Sequence, residues 1–469
     1  MSVRVGEAAE APDFRQAAHA LLANKQVRAN VRRATETIRN KRANVVGEMP
    51  DWEQLRDAGR AIKRRVMRNL DSHLEQFEAA CTRAGGQVHW ARDADEGNRI
   101  VTQIIQSHGQ KEIIKVKTMT SDETQLNPHL EANGIIPWET DLADLIIQLG
   151  HDKPSHIVVP ALHKNKTEIR TLFMEKMGLK ELGTKPEDLT AAARAYLRER
   201  FLRVKVGYSG ANFAVAETGS VCVVESEGNG RMCVTLPEIM ITMVGIEKIV
   251  PSFDDLEVFL QLLPRSATGE RMNPYNSIWT GVTPGDGPKE FHVILLDNGR
   301  TKVLADEESR ETLHCIRCAA CLNVCPVYRQ TGGHAYGSIY SGPIGAILTP
   351  QLQSMEHSQS LPYASSLCGA CYDVCPVKIN IPEILIHLRT RIVENGDRGA
   401  AERIGMRMAA YTMSDAGRFS GAQKLVKIGA KPLESLGLPG WSASRDLPAI
   451  PKESFRDWWK KRQVEKNKA

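Results

Sequence analysis

Residues 314–330 read HCIRCAACLNVCPVYRQ. Four cysteines, Cys315, Cys318, Cys321 and Cys325, fall within eleven residues, and Pro326 follows the last. The order C-x2-C-x2-C-x3-C-P is the run by which two-cluster bacterial ferredoxins hold iron and sulfide. Three thiolates at this spacing can wrap one face of a small metal–sulfide cube. The fourth is carried away toward a second cube, and the proline, with no N–H and a fixed φ, helps the chain turn out of the loop. Residues 366–379, SLCGACYDVCPVKI, nearly repeat the run with Cys368, Cys371 and Cys375 but are one cysteine short. Ser365 stands where that cysteine is due.

The chain has ten cysteines, and seven of them lie between 315 and 375. A disulfide framework would spread them as staples between elements in an oxidising compartment. Zinc sites use C-x2-C pairs, usually two pairs for four ligands, and seven cysteines in this order fit them poorly. Soft thiolates in such a run suit iron–sulfur clusters. The crossing rule assigns Cys315, Cys318, Cys321 and Cys375 to one 4Fe-4S cluster. Cys325, Cys368 and Cys371 remain for a second. That second cluster is either 3Fe-4S, or 4Fe-4S with its last iron on Ser365 or solvent. Four-iron is expected under anaerobic reconstitution and three-iron after air. The long insert 328–365 suits a helical ferredoxin module. Its glycines Gly332, Gly333, Gly337, Gly342 and Gly345 either let backbone approach a cluster or serve turns.

Working outward, residues 13–46 read as helix, with Val27, Val31, Ala34 and Ile38 on one face. The other face is basic: Lys25, Arg28, Arg32, Arg33, Arg39, Lys41 and Arg42 against Glu36. Such a face is either solvated or a docking face for an acidic partner or an anionic membrane surface. Trp52, Leu55, Ile62, Val66, Leu70, Leu74, Phe77 and Cys81 form a second helical stripe, with Cys81 in the core. From about residue 85, short strands alternate with helices. KEIIKVKT, IIPWETD and HIVVPA read as strands, and LADLIIQLG and KTEIRTLFMEKMG as the helices between them. This alternation predicts a largely parallel sheet covered on both faces. Residues 211–251 read as strands with tight turns at the sheet's functional edge, and HVILLDNG closes the region. Residues 300–312 are polar and mark a boundary. IPEILIHLRTRIVEN is a helix with Pro382 in its first turn. Trp458 and Trp459, in the basic end, either pack or dock to a partner.

Asn212, Glu217, Thr218, Glu227, Asn229 and Arg231 could converge at strand ends, where open α/β sheets bind ligands. Lys117, Glu139, Asp141 and His163 sit near other strand ends. Glu217, in a glycine-bounded turn, is the one candidate acid, base or nucleophile; the alternative is that these groups hydrogen-bond turns. Cys222 and Cys233 read as core. No G-x-G-x-x-G follows a strand, and no Walker A or H-E-x-x-H run occurs. Flavin on an unrelated fold stays open.

The chain has 469 residues, 25% of them charged, with a net charge of +5. That size allows two or three cored domains, and the charge alone does not argue for nucleic acid. No run of 18 uncharged apolar residues occurs, so no membrane span is expected. MSVRVGEAAEAPDFRQ lacks the order of a secretion signal, which makes a cytoplasmic location the default.

VGYSGANFAVAETGSVCVVESEGNGRMCVTLPEIMITMVGIEKIVP, residues 206–251, resembles the signature of the LUD (lactate utilisation) domain. HCIRCAACLNVCPVY with YASSLCGACYDVCPVKI resembles the iron–sulfur half of the lactate utilisation protein B family. The resemblance covers nearly the whole chain, and it implies that Ser365 is the family's usual pattern. With the boundaries read along the chain, the expected division is an N-terminal helical region, 1–84; an α/β LUD domain, 85–299, which the resemblance implies is similar in fold to the ribose-phosphate isomerase and CoA-transferase group; an α-helical ferredoxin-like domain with two clusters, 300–395; and a helical, basic tail, 396–469. The resemblance implies an electron-transfer subunit of a complex oxidising L-lactate to pyruvate. The partners would be A-like and C-like lactate utilisation proteins and a downstream electron acceptor, without nucleic acid and with at most peripheral membrane contact. It transfers no catalytic residue. The rival readings are a LUD-domain enzyme with acyl- or sugar-phosphate-type chemistry and structural clusters, and an assembly scaffold.

Overall fold

Strands β1 (Gln87–Ala91), β2 (Glu112–Lys115), β3 (Ile136–Glu139), β4 (Val206–Ser209), β7 (Ile239–Gly245) and β10 (Glu290–Leu296) form one wholly parallel sheet. Their order across it is β1-β10-β7-β4-β2-β3. Four others, β5 (Phe213–Val215), β6 (Ser220–Glu225), β8 (Ile249–Val250) and β9 (Tyr275–Trp279), make a second sheet in the order β8-β5-β6-β9. The molecule is described from a computed structural model over residues 13–395, 400–428 and 451–466. Residues 1–12, read for a secretion signal, and the Pro-, Gly- and Ser-bearing stretch 429–450 lie outside them.

The period of two along the parallel strands sorts side chains into two cores. Ile113, Ile239, Ile241, Met243, Ile294 and Leu296 join one core with the helices Ala94–Ser107 and Leu126–Ala132. Ile114, Met240, Val244, Val293 and Leu295 join the other. That second core runs on without interruption into Leu322, Ile347, Leu348 and Leu385 of the cysteine-rich region. The chain up to Ile392 accordingly makes one compact unit, and from Val393 onward it makes another. In the second unit, Phe455 stacks on Trp459 at 5.9 Å and lies 5.5 Å from Trp458, and both tryptophans stay half-exposed.

Several expectations from the sequence need correction. The helix over 13–46 is two helices, Phe14–Leu22 and Lys25–Gly47. Asn24 breaks it by accepting the Val27 N–H at 3.1 Å as the N-cap of the second. The stripe from Trp52 to Cys81 is likewise two helices, Trp52–Arg68 and Leu70–Arg83, parted at Asn69. HIVVPA is not a strand. His156 Nδ1 accepts the N–H groups of Val158 and Val159, both at 3.0 Å, and so coils the segment into turns. The glycine-rich middle of 211–251 is helical over Asn229–Thr235. There Glu225 gathers the N–H groups of Glu227, Gly228 and Arg231 and so shapes the helix entry. The rest of that run splits between the two sheets instead of extending one.

Candidate functional site

The cysteine loops are two copies of one backbone device, fifty residues apart. Arg317 and Ala319, each next to Cys318, take positive φ of 62° and 60°. Leu367 and Gly369, on either side of Cys368, take 56° and 83°. A short helix follows in each copy, Ala320–Val324 and Ala370–Val374. Each helix ends at a cysteine with nearly the same backbone, Cys325 at φ −70°, ψ 121° and Cys375 at φ −65°, ψ 120°. The correspondence reaches Ser365. Arg317 N–H donates to Cys315 Sγ at 3.4 Å, and Leu367 N–H donates to Ser365 Oγ at 3.1 Å. The serine hydroxyl therefore stands in the same relation to its loop as the thiol it replaces.

Electrostatic pressure between the thiols sorts them by proximity. Cys318 is pressed by Cys375 and Cys315, and Cys321 by Cys318, Cys315, Cys371 and Cys375. Cys371 is pressed by Cys325 and Cys368. These influences group Cys315, Cys318, Cys321 and Cys375 together and Cys325, Cys368 and Cys371 together, with Cys321 also feeling Cys371. Burial pushes Cys318 and Cys371 up to about 12 and Cys375 up to about 11. Thiolates crowded this way without water require cationic partners, so the donor set fits iron–sulfur clusters. Backbone N–H groups of Tyr328 and Ile379 also donate to Cys325 Sγ and Cys375 Sγ at 3.5 and 3.4 Å. The first group lies deep and only Cys315 is half-buried, whereas Cys368 of the second is exposed.

Two of the insert glycines, Gly332 and Gly333, stand at a turn and at a close backbone approach. Gly332 has φ +70°, and a Cβ on Gly333 would come within 2.0 Å of Ser155 O. The basic helix Lys25–Gly47 lies against the cysteine region. Arg28 reaches Gln330 Oε1 at 2.8 Å, and Arg42 donates to Val374 O at 3.1 Å. Lys25, Arg32, Arg33, Arg39 and Lys41 remain exposed.

A buried chain of charges joins the deeper thiol group to the parallel sheet. Arg317 Nη2 pairs with Glu247 Oε1 at 3.1 Å, and Arg300 Nε pairs with Glu247 Oε2 at 2.5 Å. The Arg300 fork also grips both oxygens of Glu123 at 2.8 and 2.9 Å. Tyr340 O–H donates to Glu123 at 2.6 Å, and its ring lies 4.9 Å beneath the Arg317 guanidinium. Burial opposes the charge on Glu247, but Arg300, Arg317 and Lys248 outweigh it and hold the carboxyl down to about 2. Burial lowers Lys248 to about 7, with Arg317 adding to it, and lowers Lys63 to about 8 against the pull of Glu247. Lys63 Nζ donates to Glu247 O.

Glu123 follows β2, at the point where the chain order of the sheet reverses between β2 and β4. Crevices of this kind at carboxyl ends of strands are where open α/β sheets take ligands. Lys115 pairs there with Glu139 at 2.6 Å, and Asn127 donates to the same carboxylate at 2.7 Å. Burial, opposed by Lys115 and reinforced by Glu139, pushes Asp122 up to about 6. Burial and Asp141 push Glu227 up to about 7. Burial, opposed by Lys117 and reinforced by Asp141, Glu139 and Asp122, raises Asp144 well above the carboxylate range. Asp144 Oδ2 and Tyr208 OH have no hydrogen-bond partner among the described residues.

Of the residues proposed from sequence, Lys117, Glu139, Asp141, Glu227 and Asn229 come together here; Asn229 reaches Thr140 Oγ1 at 3.1 Å. The others do not. Glu217 is exposed and accepts the Phe253 N–H at 2.9 Å, at the head of the helix Phe253–Ala267. Asn212 ties Val224, Thr218 bonds Ser220, and Arg231 bonds Glu225 through its backbone. His163 pairs with Asp152 instead. Cys222 and Cys233 are core, both pushed up to about 12 by burial. Sequence reasoning missed Asp122, Asp144, Tyr208, Glu247 and Arg300. The one available signal was a charged Glu247–Lys248 pair inside an otherwise apolar run.

These acids have a consequence for pH. Asp122, Asp144 and Glu227 hold protons in the folded state at pH values where the unfolded chain has lost them. At these three groups the folded state binds more protons above about pH 4.5, and their contribution to stability falls as pH rises toward about 7. Lys115, Lys117, Glu139, Asp141 and Glu225 face these groups and set the depth of the effect. Asp144→Asn is expected to flatten that slope and raise stability at pH 8, as read by denaturant unfolding.

A model of the LUD domain matches residues 74–296, one of the 4Fe-4S dicluster domain matches 311–379, and one of the lactate utilisation protein B C-terminal region matches 388–464. Lactate utilization protein B of Bacillus licheniformis is 44% identical, over 95% of this chain and 96% of its own. Its namesake in Bacillus subtilis (strain 168) is 42% identical over 99% and 98%. The uncharacterized electron transport protein YkgF of Escherichia coli (strain K12) is 41% identical over 97% and 98%. A solved structure of a DUF162 family protein from Deinococcus radiodurans is similar over 49% of this chain and 98% of that one, at 13% identity and a TM-score of 0.28. Among the described residues no helix is long and apolar enough to cross a membrane. With a LUD domain followed by a 4Fe-4S dicluster domain, the chain belongs to the lactate utilisation protein B family.

Proposed function

We propose that this chain is the electron-carrying iron–sulfur subunit of a complex that oxidises L-lactate to pyruvate, acting with proteins similar to lactate utilisation proteins A and C and passing electrons to a downstream acceptor. The observation that carries this reading is the sorting of seven cysteines into a buried group of four and a partly exposed group of three. The clusters, when bound, supply one-electron carriers. Cys315, Cys318, Cys321 and Cys375 would hold the deeper one, and Cys325, Cys368 and Cys371, with Ser365 at the fourth position, the outer one.

The rest of the chain supports that role with charge and shape. Arg317 places positive charge beside Cys315 of the deeper group, and Arg56 Nε donates to Cys375 O at 3.0 Å. Positive charge of this kind favours the reduced, more negative state of a cluster. Ser366, Leu367 and Cys368 form an exposed edge for exchange with a partner. The test is anaerobic: L-lactate added to the chain with its A-like and C-like partners is expected to bleach the visible absorption of the clusters, and the chain without partners is expected to keep it. Persistent colour in the complete mixture would contradict the role.

The buried acids beside β2 favour a second reading, in which the LUD domain itself performs acyl- or sugar-phosphate-type chemistry and the clusters are structural. Under the electron-carrier reading, Glu227→Gln leaves lactate oxidation by the assembled complex unchanged, whereas under the second reading it lowers turnover; Glu217, exposed at a helix head, lies outside these acids.

A further inference from the structure

We propose that Asp152, His163 and His334 form a binding site for one divalent transition-metal ion, separate from the cysteine groups. A ring nitrogen of each histidine and a carboxylate oxygen of Asp152 lie within 4.8 Å of one another. Ligands on a tetrahedral ion at about 2.0–2.1 Å stand roughly 3.3 Å apart, so small side-chain rotations close the site. Two imidazoles and one carboxylate suit zinc with an open fourth position, and equally suit ferrous iron.

The surroundings are built as outer shells of metal sites are. His163 Nε2 faces Asp152 Oδ2 at 3.0 Å, and its Nδ1 lies 2.8 Å from Ser155 Oγ. The Ser155 hydroxyl has Pro160 O at 3.0 Å as a place for its own proton, so its oxygen can accept Nδ1–H. That leaves Nε2 with the lone pair a metal needs. His334 Nε2 is 2.8 Å from Lys153 O, which can only accept, so the lone pair of that ring falls on Nδ1. The two rings meet edge to face, with centroids 4.6 Å apart. Asp152 Oδ1 accepts the Lys153 N–H at 2.7 Å, which orients the carboxylate. Lys164 Nζ, 2.6 Å from Asp152 Oδ2, is the competing cation; its side chain is 27% exposed and can swing into water when a metal takes its place.

The site lies on a seam. Asp152 and His163 belong to the loop expected from sequence to hold a strand, and His334 belongs to the insert between the two cysteine runs. Gly333 against Ser155 O and the 2.6 Å bond from Tyr328 OH to Ser155 O hold the two segments together. A bound ion would clip the LUD domain to the cluster-bearing region with no change at the thiols.

The test uses the full chain, purified anaerobically with its clusters in place and titrated with zinc against a competing chelator. The wild type is expected to take up one zinc per chain and to unfold at a higher temperature with it. Asp152→Asn and His334→Gln are expected to weaken that uptake at least about tenfold and to lose the thermal shift, while iron, sulfide and visible absorption stay as in wild type. Both positions are half-buried, so neither exchange opens a core. Zinc uptake equal in wild type and both variants, uptake that displaces iron, or no uptake by the wild type would each overturn the assignment and leave the three residues as a hydrogen-bonded seam.

Discussion

Arg300→Ala is expected to destabilise the chain by about 3–5 kcal/mol, the usual cost of removing one partner from a buried ion pair. Arg300 is 1% exposed and bridges two carboxylates, Glu123 and Glu247, that are themselves buried. Without it, Glu123 keeps Tyr340 and Asn298, and Glu247 keeps Arg317, but both negative charges lose their shared cation. Anaerobic denaturant unfolding measures the loss. Acid titration gives a second reading with a fixed sign. The folded pKa of Glu247 is depressed, so its contribution is full above about 4.5 and is lost as pH falls toward about 2. In Arg300→Ala the folded pKa of Glu247 rises toward its unfolded value, so that acid limb becomes shallower and ends at a higher pH. A variant as stable as wild type would show that this chain of charges does not hold the sheet to the cysteine region.

The second large effect concerns Ser365. Its hydroxyl accepts the Leu367 N–H as Cys315 accepts that of Arg317, and the loops around both share their positive-φ residues. Ser365→Cys therefore places a fourth thiolate where the outer group has three. The variant is expected to retain a four-iron outer cluster in air, raising iron by about one atom per chain over air-exposed wild type and abolishing the three-iron EPR signal. The backbone already has the required form, so no refolding is needed. A three-iron signal of wild-type size in Ser365→Cys would show that the loop cannot deliver a ligand there.

Much of this was legible because the information was local. The cysteine spacings define their own loops, and β2, β3 and the helices Leu142–Leu149 and Lys166–Met177 announce themselves by period and length. What could not be read was long-range. Alternation in residues 211–251 marks strands but not which of two sheets each joins. Val158 and Val159 have strand propensity, yet a ring nitrogen of His156 captures their N–H groups. Arg300 opens a polar stretch that reads as a boundary, and its burial depends on carboxylates 53 and 177 positions away. The acids beside β2 gave the weakest signal, since Asp122 and Asp144 look like ordinary first-turn helix residues until the sheet folds over them.

Whether seven thiols hold two iron–sulfur clusters is tested most directly by iron and acid-labile sulfide, measured on freshly made, oxygen-free protein. Two clusters on these ligands predict about seven to eight iron atoms per chain with a comparable amount of sulfide, and EPR signals from two interacting centres on reduction. A colourless protein without sulfide, or an iron count near four, would contradict it.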